Sequence, residues 1–295
     1  MKLVRLHRRW SLWEWTWMNL AKSAADKLTT ATHEKLARFI DAQVGIQLPA
    51  HKKSLIEARL RKLQSQSDFG SLGEYIDYVT QRGSNAEVLT MIDALTTNKT
   101  DFFREPAHFK VLTDELPRLI QKGRPLRIWS AGCSSGEEPY TIAMVMEEFC
   151  RNHSSVDFEI VATDISAQCL ATAQRGIYPS ARIEPVSESL RKRYLLRSRD
   201  PSKSLIKMSE TLQQRITFSS FNFITGDFSQ FKAFDVIFCR NVMIYFDAAQ
   251  RARLLNLFRQ QLVMGGVFFL GLSEGISAER NQFEQLSPSA YKRVI

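Results

Sequence analysis

The sequence predicts an α/β protein in which a mainly parallel, doubly wound sheet follows a small all-helical domain. Residues 32–95 carry apolar side chains at helical spacing and few strand signals. After Asn98, short apolar runs typical of buried strands alternate with helical stretches, an order that favours parallel strands joined by helical crossovers. A chain of 295 residues with 44% hydrophobic side chains has room for both parts and enough apolar material for their cores.

The N-terminal helices are predicted from segments with apolar periodicity at residues 33–40, 54–63, 72–79 and 87–95. In the second segment Ile56, Leu60 and Leu63 fall on one face, and Pro49 just before it suits a helix start. Arg61 and Lys62 project away from this face, with Lys53 and Arg59 at its borders, so the rest of the helix surface is basic. Such a face is either solvated or a docking surface, and periodicity does not choose between the two.

The α/β part is predicted to have strands at residues 126–130, 158–163, 216–221, 234–239 and 267–270, with helices at 140–149 and 250–262. Residues 178–215 interrupt this alternation, because they are charged and poorly periodic, and we expect an insertion with its own small structure. The predicted organisation is an extension over residues 1–29, a helical domain over 30–95 and an α/β domain over 96–295.

Charge and cysteine content narrow the functional classes. The formal net charge of +9 indicates an acidic partner, whether nucleic acid, membrane surface or protein. The cysteines are scattered and form no C-x-x-C pair, so neither a zinc site nor a disulfide framework is expected, and a reducing cytoplasm fits best. No apolar run approaches the ~20 residues of a membrane-spanning helix, so stable membrane insertion is not expected.

The first 25 residues are basic and rich in tryptophan. A signal peptide is disfavoured because Glu14 and Asn19 break the apolar stretch. An interfacial membrane helix is one interpretation, since basic and Trp-rich segments favour the headgroup region. The favoured interpretation is an upstream extension, with the natural start near Met18.

A small-residue turn at residues 131–136 follows the first predicted strand of the α/β part. Its glycines, Gly132 and Gly136, allow a sharp turn and a close approach of the backbone to a ligand. The helix that follows begins near Glu137 and would favour an anionic group at its N-terminus. The spacing is G-x-x-x-G rather than G-x-G-x-x-G, so a pyrophosphate-binding dinucleotide site is disfavoured.

Polar residues at later strand ends indicate a nucleoside site. Asp164 ends the second strand, where an acid accepts hydrogen bonds from ribose hydroxyls, although it is also placed to cap the next helix. Asn222 and Phe223 follow the third strand and could flank an adenine, and Arg240 and Asn241 follow the fourth. These residues describe a nucleoside site without phosphates, a description that S-adenosylmethionine fits.

Four strings of the sequence occur in the order of a known family: TTNKTDFFREPAHF, AGCSSGEEPYTIAM, FDVIFCRNVMIYFD and GGVFFLGLSEGI. With them, residues 30–295 resemble the chemotaxis receptor methyltransferases of the CheR type. The resemblance implies a class I (Rossmann-like) methyltransferase domain with an inserted small β-subdomain over 178–215, preceded by a small all-helical N-terminal domain. It also implies S-adenosylmethionine as the cofactor and no metal.

The resemblance carries cofactor-binding roles to matching positions. With the glycine turn included, these are Asn98, Thr100, Arg104, Gly132, Glu138, Asp164, Asn222, Phe223, Arg240 and Asn241. Arg104 is expected to bind the carboxylate of the cofactor or to orient that of the substrate. Tyr245 is a candidate donor to the incoming carboxylate, with a half-buried loop aromatic as its alternative role.

By the same resemblance, the chain is expected to methylate glutamate side chains on the acidic cytoplasmic helices of methyl-accepting chemotaxis receptors. The basic face of residues 53–62 then becomes a receptor-docking surface. The turn at residues 199–204 departs from the Gly-rich turn of some relatives, which puts tethering by a receptor tail peptide in doubt. The Trp-rich N-terminus has no counterpart in the family pattern.

Three rival functions compete with this expectation. One is a family member acting on a receptor-like protein in another signalling pathway, which the sequence does not separate from chemotaxis. Nucleic-acid methylation is disfavoured because no N-P-P-Y-like tetrapeptide is present, and Cys239 near the end of an apolar strand is expected to be a small buried hydrophobe rather than a nucleophile. A scaffold with a degenerate pocket would lack glycines or Asp164, which are present.

Overall fold

The computed structural model describes residues 27–121, 123–200, 202–276 and 282–295, so the Trp-rich segment lies outside the described residues. The chain divides into two compact units. The helical unit comprises the described residues up to Asp41 together with Leu48–Leu95, and the α/β unit comprises Ala42–Gln47 and Thr96–Ile295. Among the described residues, none of the helices is long and apolar enough to cross a membrane.

The helical unit is built from amphipathic helices: α1 (Thr30–Val44), whose last three residues belong to the α/β unit, α2 (Lys53–Gln64), α3 (Leu72–Arg82) and α4 (Asn85–Leu95), with a 3₁₀ turn at Ala50–Lys52. The Ser71 hydroxyl caps α3 by accepting from the backbone N–H of Glu74. Ser84 and Glu87 exchange reciprocal hydrogen bonds at the start of α4, as in a capping box. The unit's core is formed by apolar side chains at helical spacing, such as Leu36 and Leu60, which are fully buried.

The α/β unit contains the following elements in chain order: α5 (Ala107–Leu119), β1 (Leu126–Ala131), α6 (Glu137–Arg151), β2 (Phe158–Asp164), α7 (Ala167–Arg175), β3 (Ile177–Pro179), α8 (Glu188–Tyr194), β4 (Leu195–Arg197), β5 (Leu205–Met208), α9 (Glu210–Gln213), β6 (Ile216–Ser220), β7 (Phe234–Cys239), α10 (Ala248–Gln261), β8 (Leu262–Leu270), β9 (Phe283–Ser287) and β10 (Ala290–Arg293). Short 3₁₀ turns lie at Ser180–Ile183, Phe228–Gln230 and Met243–Tyr245.

The strands described in the α/β unit form a main sheet in the order β6-β2-β1-β7-β8-β10-β9. The first five in this order pair in parallel, and β10 pairs antiparallel with both β8 and β9. Side chains of β1 alternate between the two faces: Leu126 and Ile128 join the core on one side, whereas Trp129 and Ala131 join an aromatic core on the other. With helices on both faces, all carboxyl ends of the parallel strands meet at one edge.

The insertion between α7 and β6 forms its own sheet, in which the described strands are ordered β3-β5-β4 and paired antiparallel. The predicted fold class, a doubly wound domain with an inserted β-subdomain after a helical domain, is confirmed. Two features were not predicted. Helix α5 has buried Phe109, Leu112 and Leu116 at helical spacing and carries Pro117 in its last turns. The β9–β10 hairpin is short and depends on pairing with β8.

The boundary between α10 and β8 also differs from the sequence prediction. The helix ends at Gln261, and the strand begins at Leu262 rather than at Val267. Leu262 pairs with Phe234 of β7, and the register then shifts before Val267 pairs with Val236. The glycines Gly265 and Gly266 lie at this irregularity, which hides the first half of the strand from a periodicity argument.

Candidate active site

A cavity of about 980 Å³, including space open to solvent, lies at the carboxyl ends of β1, β2, β6 and β7. The residues predicted to bind a cofactor all line it, and so does Tyr245. The full lining is Val44, Ile46, Thr96, Thr97, Asn98, Lys99, Thr100, Asp101, Arg104, Phe109, Gly132, Ser134, Glu138, Thr141, Asp164, Ile165, Phe221, Asn222, Phe223, Arg240, Asn241, Val242, Tyr245 and Phe246. Segments far apart in the sequence therefore share one cavity.

The glycine turn after β1 is held against the ends of its neighbouring strands. Gly132 has a φ of +85°, and its backbone N–H donates to the carbonyl of Thr163 at 2.8 Å. A Cβ on Gly132 would lie 2.5 Å from a methyl carbon of Val242, in the loop after β7. Both the positive φ and the contact with Val242 exclude a side chain at position 132, so backbone atoms line the cavity there.

Asp164, at the end of β2, holds the glycine turn after β1 through its carboxylate. One carboxylate oxygen accepts from the backbone N–H of Ser134 at 2.7 Å, and the other accepts from that of Ser166 at 2.9 Å. The cap of α7 is Ser166, whose hydroxyl accepts from the backbone N–H of Cys169. The helix-capping role considered for Asp164 is therefore wrong. Asp164 also lines the cavity.

Arg240 is the charged centre of the site. Its side chain is 2% exposed, and its guanidinium donates to a Glu105 carboxylate oxygen at 3.0 Å and 3.2 Å and to Glu138 at 3.3 Å. It also donates to the backbone carbonyl of Arg104 and lies over the ring of Phe109. Arg240 thus lines the cavity while its hydrogen bonds connect the end of β7, the segment before α5 and the first turn of α6.

Glu138 is the acid that this arginine orients. Ser130 donates to one of its carboxylate oxygens at 2.7 Å, and Arg240 donates to the other. Burial raises the pKa of the Glu138 carboxyl above its ordinary value, against the opposing effect of Arg240 and of the Ser130 hydrogen bond. A buried acid held at a fixed angle suits recognition of a cationic or hydrogen-bond-donating ligand group.

The segment at residues 98–104 lies across the same cavity and is held mainly through its backbone. The Ser134 hydroxyl donates to the carbonyl of Asn98 at 2.9 Å, and Arg182 of the inserted subdomain donates to that of Thr100. The half-buried Arg104 side chain donates to the Lys99 carbonyl at 3.1 Å. One nitrogen of Arg104 is thereby engaged, and the guanidinium keeps further donors on the cavity side.

Residues 42–47 complete the cavity beside the loops that follow β6 and β7. The Asn222 amide donates to the Gln43 carbonyl at 2.8 Å, and its oxygen accepts from the backbone N–H of Ile224. The backbone N–H of Gln47 donates to the Tyr245 carbonyl at 2.9 Å, and the Tyr245 hydroxyl donates to the Thr97 carbonyl at 3.2 Å. The side-chain amide of Asn222 is therefore hydrogen-bonded to the backbone at both Gln43 and Ile224.

Sequence reasoning missed several residues that build the site. Glu105 directly follows a predicted residue, yet nothing local shows that it pairs with Arg240. Ser134 and residues 42–47 gave no separate signal, and Glu274 lies within one of the four family strings without an assigned role. The expected burial of Cys239 is confirmed, since it is 0% exposed and burial raises the pKa of its thiol.

The lining fits S-adenosylmethionine. The carboxylate of Asp164 suits ribose hydroxyls, the rings of Phe221 and Phe223 suit an adenine, and Arg104 suits a carboxylate. Gly132 lines the cavity without a side chain, since its positive φ and the neighbouring Val242 both exclude one. Within the described residues no group of histidine, cysteine and acidic side chains is arranged to hold a metal ion.

Comparisons with known proteins identify the family. Residues 98–292 match the family model described as CheR methyltransferase, SAM binding domain, and residues 31–96 match CheR methyltransferase, all-alpha domain. The chain belongs to the CheR methyltransferase family. The resemblance stated from the sequence is confirmed, the chain is a methyltransferase, and its cofactor is S-adenosylmethionine.

Named relatives of this CheR methyltransferase match over most of its length. The chain is 39% identical over 287 residues to a "Chemotaxis protein methyltransferase" of Borreliella burgdorferi, covering 94% of this chain and 100% of the relative. It is 40% identical over 230 residues to "Chemotaxis protein methyltransferase 2" of Pseudomonas aeruginosa, covering 78% and 81%. Identity to a "Probable chemotaxis protein methyltransferase" of Rhizobium etli is 36% over 260 residues, covering 86% and 96%.

The Asp164 carboxylate is expected to anchor the cofactor ribose. Asp164→Asn keeps the side-chain size but removes the charge, and charge-assisted hydrogen bonds contribute about 1.5–3 kcal/mol each. We therefore expect the dissociation constant for S-adenosylmethionine, measured by titration calorimetry, to rise about tenfold or more. The matched control is Asp227→Asn, because Asp227 accepts from the backbone N–H of Ser229 in the same way but does not line the described cavity. Equal affinities in the two folded variants would contradict this role.

Proposed function

We propose that this CheR methyltransferase transfers the methyl group of S-adenosylmethionine to glutamate side chains of methyl-accepting chemotaxis receptors, forming glutamate methyl esters. Relatives named as chemotaxis protein methyltransferases, matched over most of their length, support the pathway. The observation that carries the choice of acceptor is the composition of the cavity. Among its described lining residues there are arginines, one lysine, a tyrosine and carboxylates, but no histidine and no cysteine.

A carboxylate acceptor requires no catalytic base. Its reference pKa is near ~4.3, so it is ionised at neutral pH, whereas an amine acceptor would first have to lose a proton. Bound S-adenosylmethionine supplies a methyl group on a sulfonium, which is a good leaving group. The histidine near the site, His108, is 1% exposed and lies 3.5 Å from Glu105, and burial lowers its pKa. The task left to the protein is alignment and control of charge.

Arg104 and Tyr245 are the side chains proposed to contact the reacting groups. The Arg104 guanidinium has donors beyond the one given to the Lys99 carbonyl, and it can hold a carboxylate of the cofactor or of the acceptor. The Tyr245 hydroxyl lies at the cavity surface near Thr97 and can donate to the incoming carboxylate when it turns from the Thr97 carbonyl. Both fix orientation rather than move a proton.

The receptor is proposed to present acidic helices, and helix α2 is proposed to dock them. The structure narrows which basic side chains can do this. Arg61 is half-buried and donates to Glu57, and Arg59 donates to the Leu95 carbonyl at the end of α4 at 2.7 Å. Lys62 is exposed, and Lys53 is half-buried with its ammonium near the Thr30 hydroxyl. Arg61 lies away from the apolar face, as the periodicity predicts, and its guanidinium is paired with Glu57 one turn earlier.

The docking proposal is tested with the lysines, because changing Arg59 would also remove a helix-terminal hydrogen bond. Lys53→Glu with Lys62→Glu should slow receptor methylation severalfold at low salt, since several surface charges together steer encounter. The difference should shrink as ionic strength rises toward ~0.15 M, where charges are screened beyond about 8 Å. The control with the same charge change is Lys110→Glu with Lys192→Glu, both on exposed parts of the α/β unit. Equal rates for the two double variants would show that α2 is merely solvated.

The chemical nature of the product tests the proposed function itself. Receptor fragments incubated with the protein and methyl-labelled cofactor should gain label that is released as methanol in mild alkali, because carboxylate methyl esters hydrolyse there. The Asp164→Asn variant at subsaturating cofactor serves as the control for enzyme-dependent transfer. Label that survives alkali, as on lysine or a nucleobase, would show that the acceptor is not a carboxylate.

A further inference from the structure

Glu274 lies just after β8 and connects the ends of two strands. One carboxylate oxygen accepts from the backbone N–H of Gly271 at 2.6 Å and from that of Asn241 at 2.7 Å. The other accepts from the backbone N–H of Ile244 at 3.2 Å. Its side chain thus crosses from the end of β8 to the loop at residues 241–246 that follows β7. Several residues of that loop line the cofactor cavity, whereas Glu274 does not.

The loop conformation needs such an acceptor. Asn241 has a φ of +60°, a left-handed conformation that costs energy in residues other than glycine and persists where surrounding contacts fix it. A Cβ on Gly271 would lie 2.5 Å from the side-chain amide nitrogen of Asn241 and 2.9 Å from its backbone nitrogen, so the two strand ends leave no room for a side chain at position 271. The N–H groups of Gly271 and Asn241 are part-buried, and without this acceptor they would carry an unmet hydrogen-bonding demand. Burial raises the pKa of the Glu274 carboxyl, and the hydrogen bonds from these backbone N–H groups act in the opposite direction by favouring the ionised form.

We propose that Glu274 is a positioning residue that holds the loop at residues 241–246, and with it Asn241 and Tyr245, in the geometry needed for methyl transfer. The inference rests on the proposed function for the role of Tyr245. Glu274 binds this loop at two points: the N–H of Asn241 at its start, and the N–H of Ile244 directly before Tyr245. Tyr245 is bound on its other side, where its carbonyl accepts from Gln47.

The substitution Glu274→Gln separates the two hydrogen-bonding roles of Glu274, which are to accept from Gly271 and Asn241 with one oxygen and from Ile244 with the other. In Glu274→Gln the side-chain oxygen can still accept from Gly271 and Asn241, but an NH₂ group replaces the oxygen that faces Ile244. Two donors would then meet, and the part of the loop that carries Tyr245 would be released while Asn241 stays in place. The variant should therefore disturb acceptor alignment more than cofactor binding.

The experiment measures loop protection, cofactor affinity and turnover in Glu274→Gln. Hydrogen exchange of a peptide covering residues 241–246 should become faster, because an amide hydrogen bond is lost. The Kd for S-adenosylmethionine should change by less than about twofold, while kcat falls roughly tenfold, in the range that small misplacement of reacting groups costs. Tyr245→Phe should lower kcat less in the Glu274→Gln background than in the unaltered protein, because Glu274 acts through Tyr245.

The matched control is Glu284→Gln, a half-exposed carboxylate of β9 that pairs with Lys292. It should leave exchange, affinity and kcat unchanged. Unchanged exchange at residues 241–246 in Glu274→Gln, or equal loss of cofactor affinity and kcat, would overturn the inference. The exchange and affinity measurements need no methyl acceptor. An inactive unaltered protein would therefore count against the proposed function and leave the two binding readouts to decide the role of Glu274.

Discussion

The site depends on the hydrogen bonds and ion pairs that the buried guanidinium of Arg240 makes. It stands at the carboxyl end of β7 and donates to Glu105, before α5, and to Glu138, in the first turn of α6. Burying charges costs free energy, and removing one partner of a buried pair typically costs about 3–5 kcal/mol because the other charge is left uncompensated. The hydrogen bonds therefore impose a single relative placement on the segments that line the cavity.

Backbone strain is concentrated around this arrangement. The residues other than glycine with positive φ in the α/β unit include Phe103, Glu105, Ser134 and Asn241, all close to the cavity in sequence or in its lining. Three of them contact an acidic or basic side chain that fixes them: Glu105 by Arg240, Ser134 by Asp164 and Asn241 by Glu274. Such strain persists where surrounding contacts over-determine the backbone, and it is typical of functional sites. The site is thus pre-formed by contacts between charged side chains and from charged side chains to the backbone.

Much of the fold could be predicted from the sequence, because strands, glycine turns and helix faces have local signatures. The carboxyl ends of parallel strands meet at one edge, so Gly132, Asp164 and Asn241 could be grouped from the order of the strands alone. Their binding roles stay predictions, and the structure adds that they line one cavity. The contacts across the sheet could not be predicted: Glu105 and Arg240 are 135 residues apart, and no pattern in either segment names its partner.

Local patterns also leave the partners of charged residues undetermined. The helical periodicity places Arg61 away from the apolar face of α2, and the structure adds that Glu57 one turn earlier accepts from it and that Arg59 donates to the end of another helix. The position of Asp164 suits a helix cap, a role that Ser166 fills two residues later. In each case the residue type indicates a polar or charged role. Which partner the residue binds depends on three-dimensional geometry, which sequence spacing does not contain.

The central claim is that the ion pair of Arg240 and Glu105 builds the cofactor site, and a double-mutant cycle on S-adenosylmethionine affinity tests it most directly. Arg240→Gln and Glu105→Gln should each raise the dissociation constant about tenfold or more, and the double variant should bind no worse than Arg240→Gln alone. The coupling energy should then lie within the roughly 0.5–3 kcal/mol typical of contacting groups. Folded variants with unchanged affinity, or losses that simply add, would contradict the account.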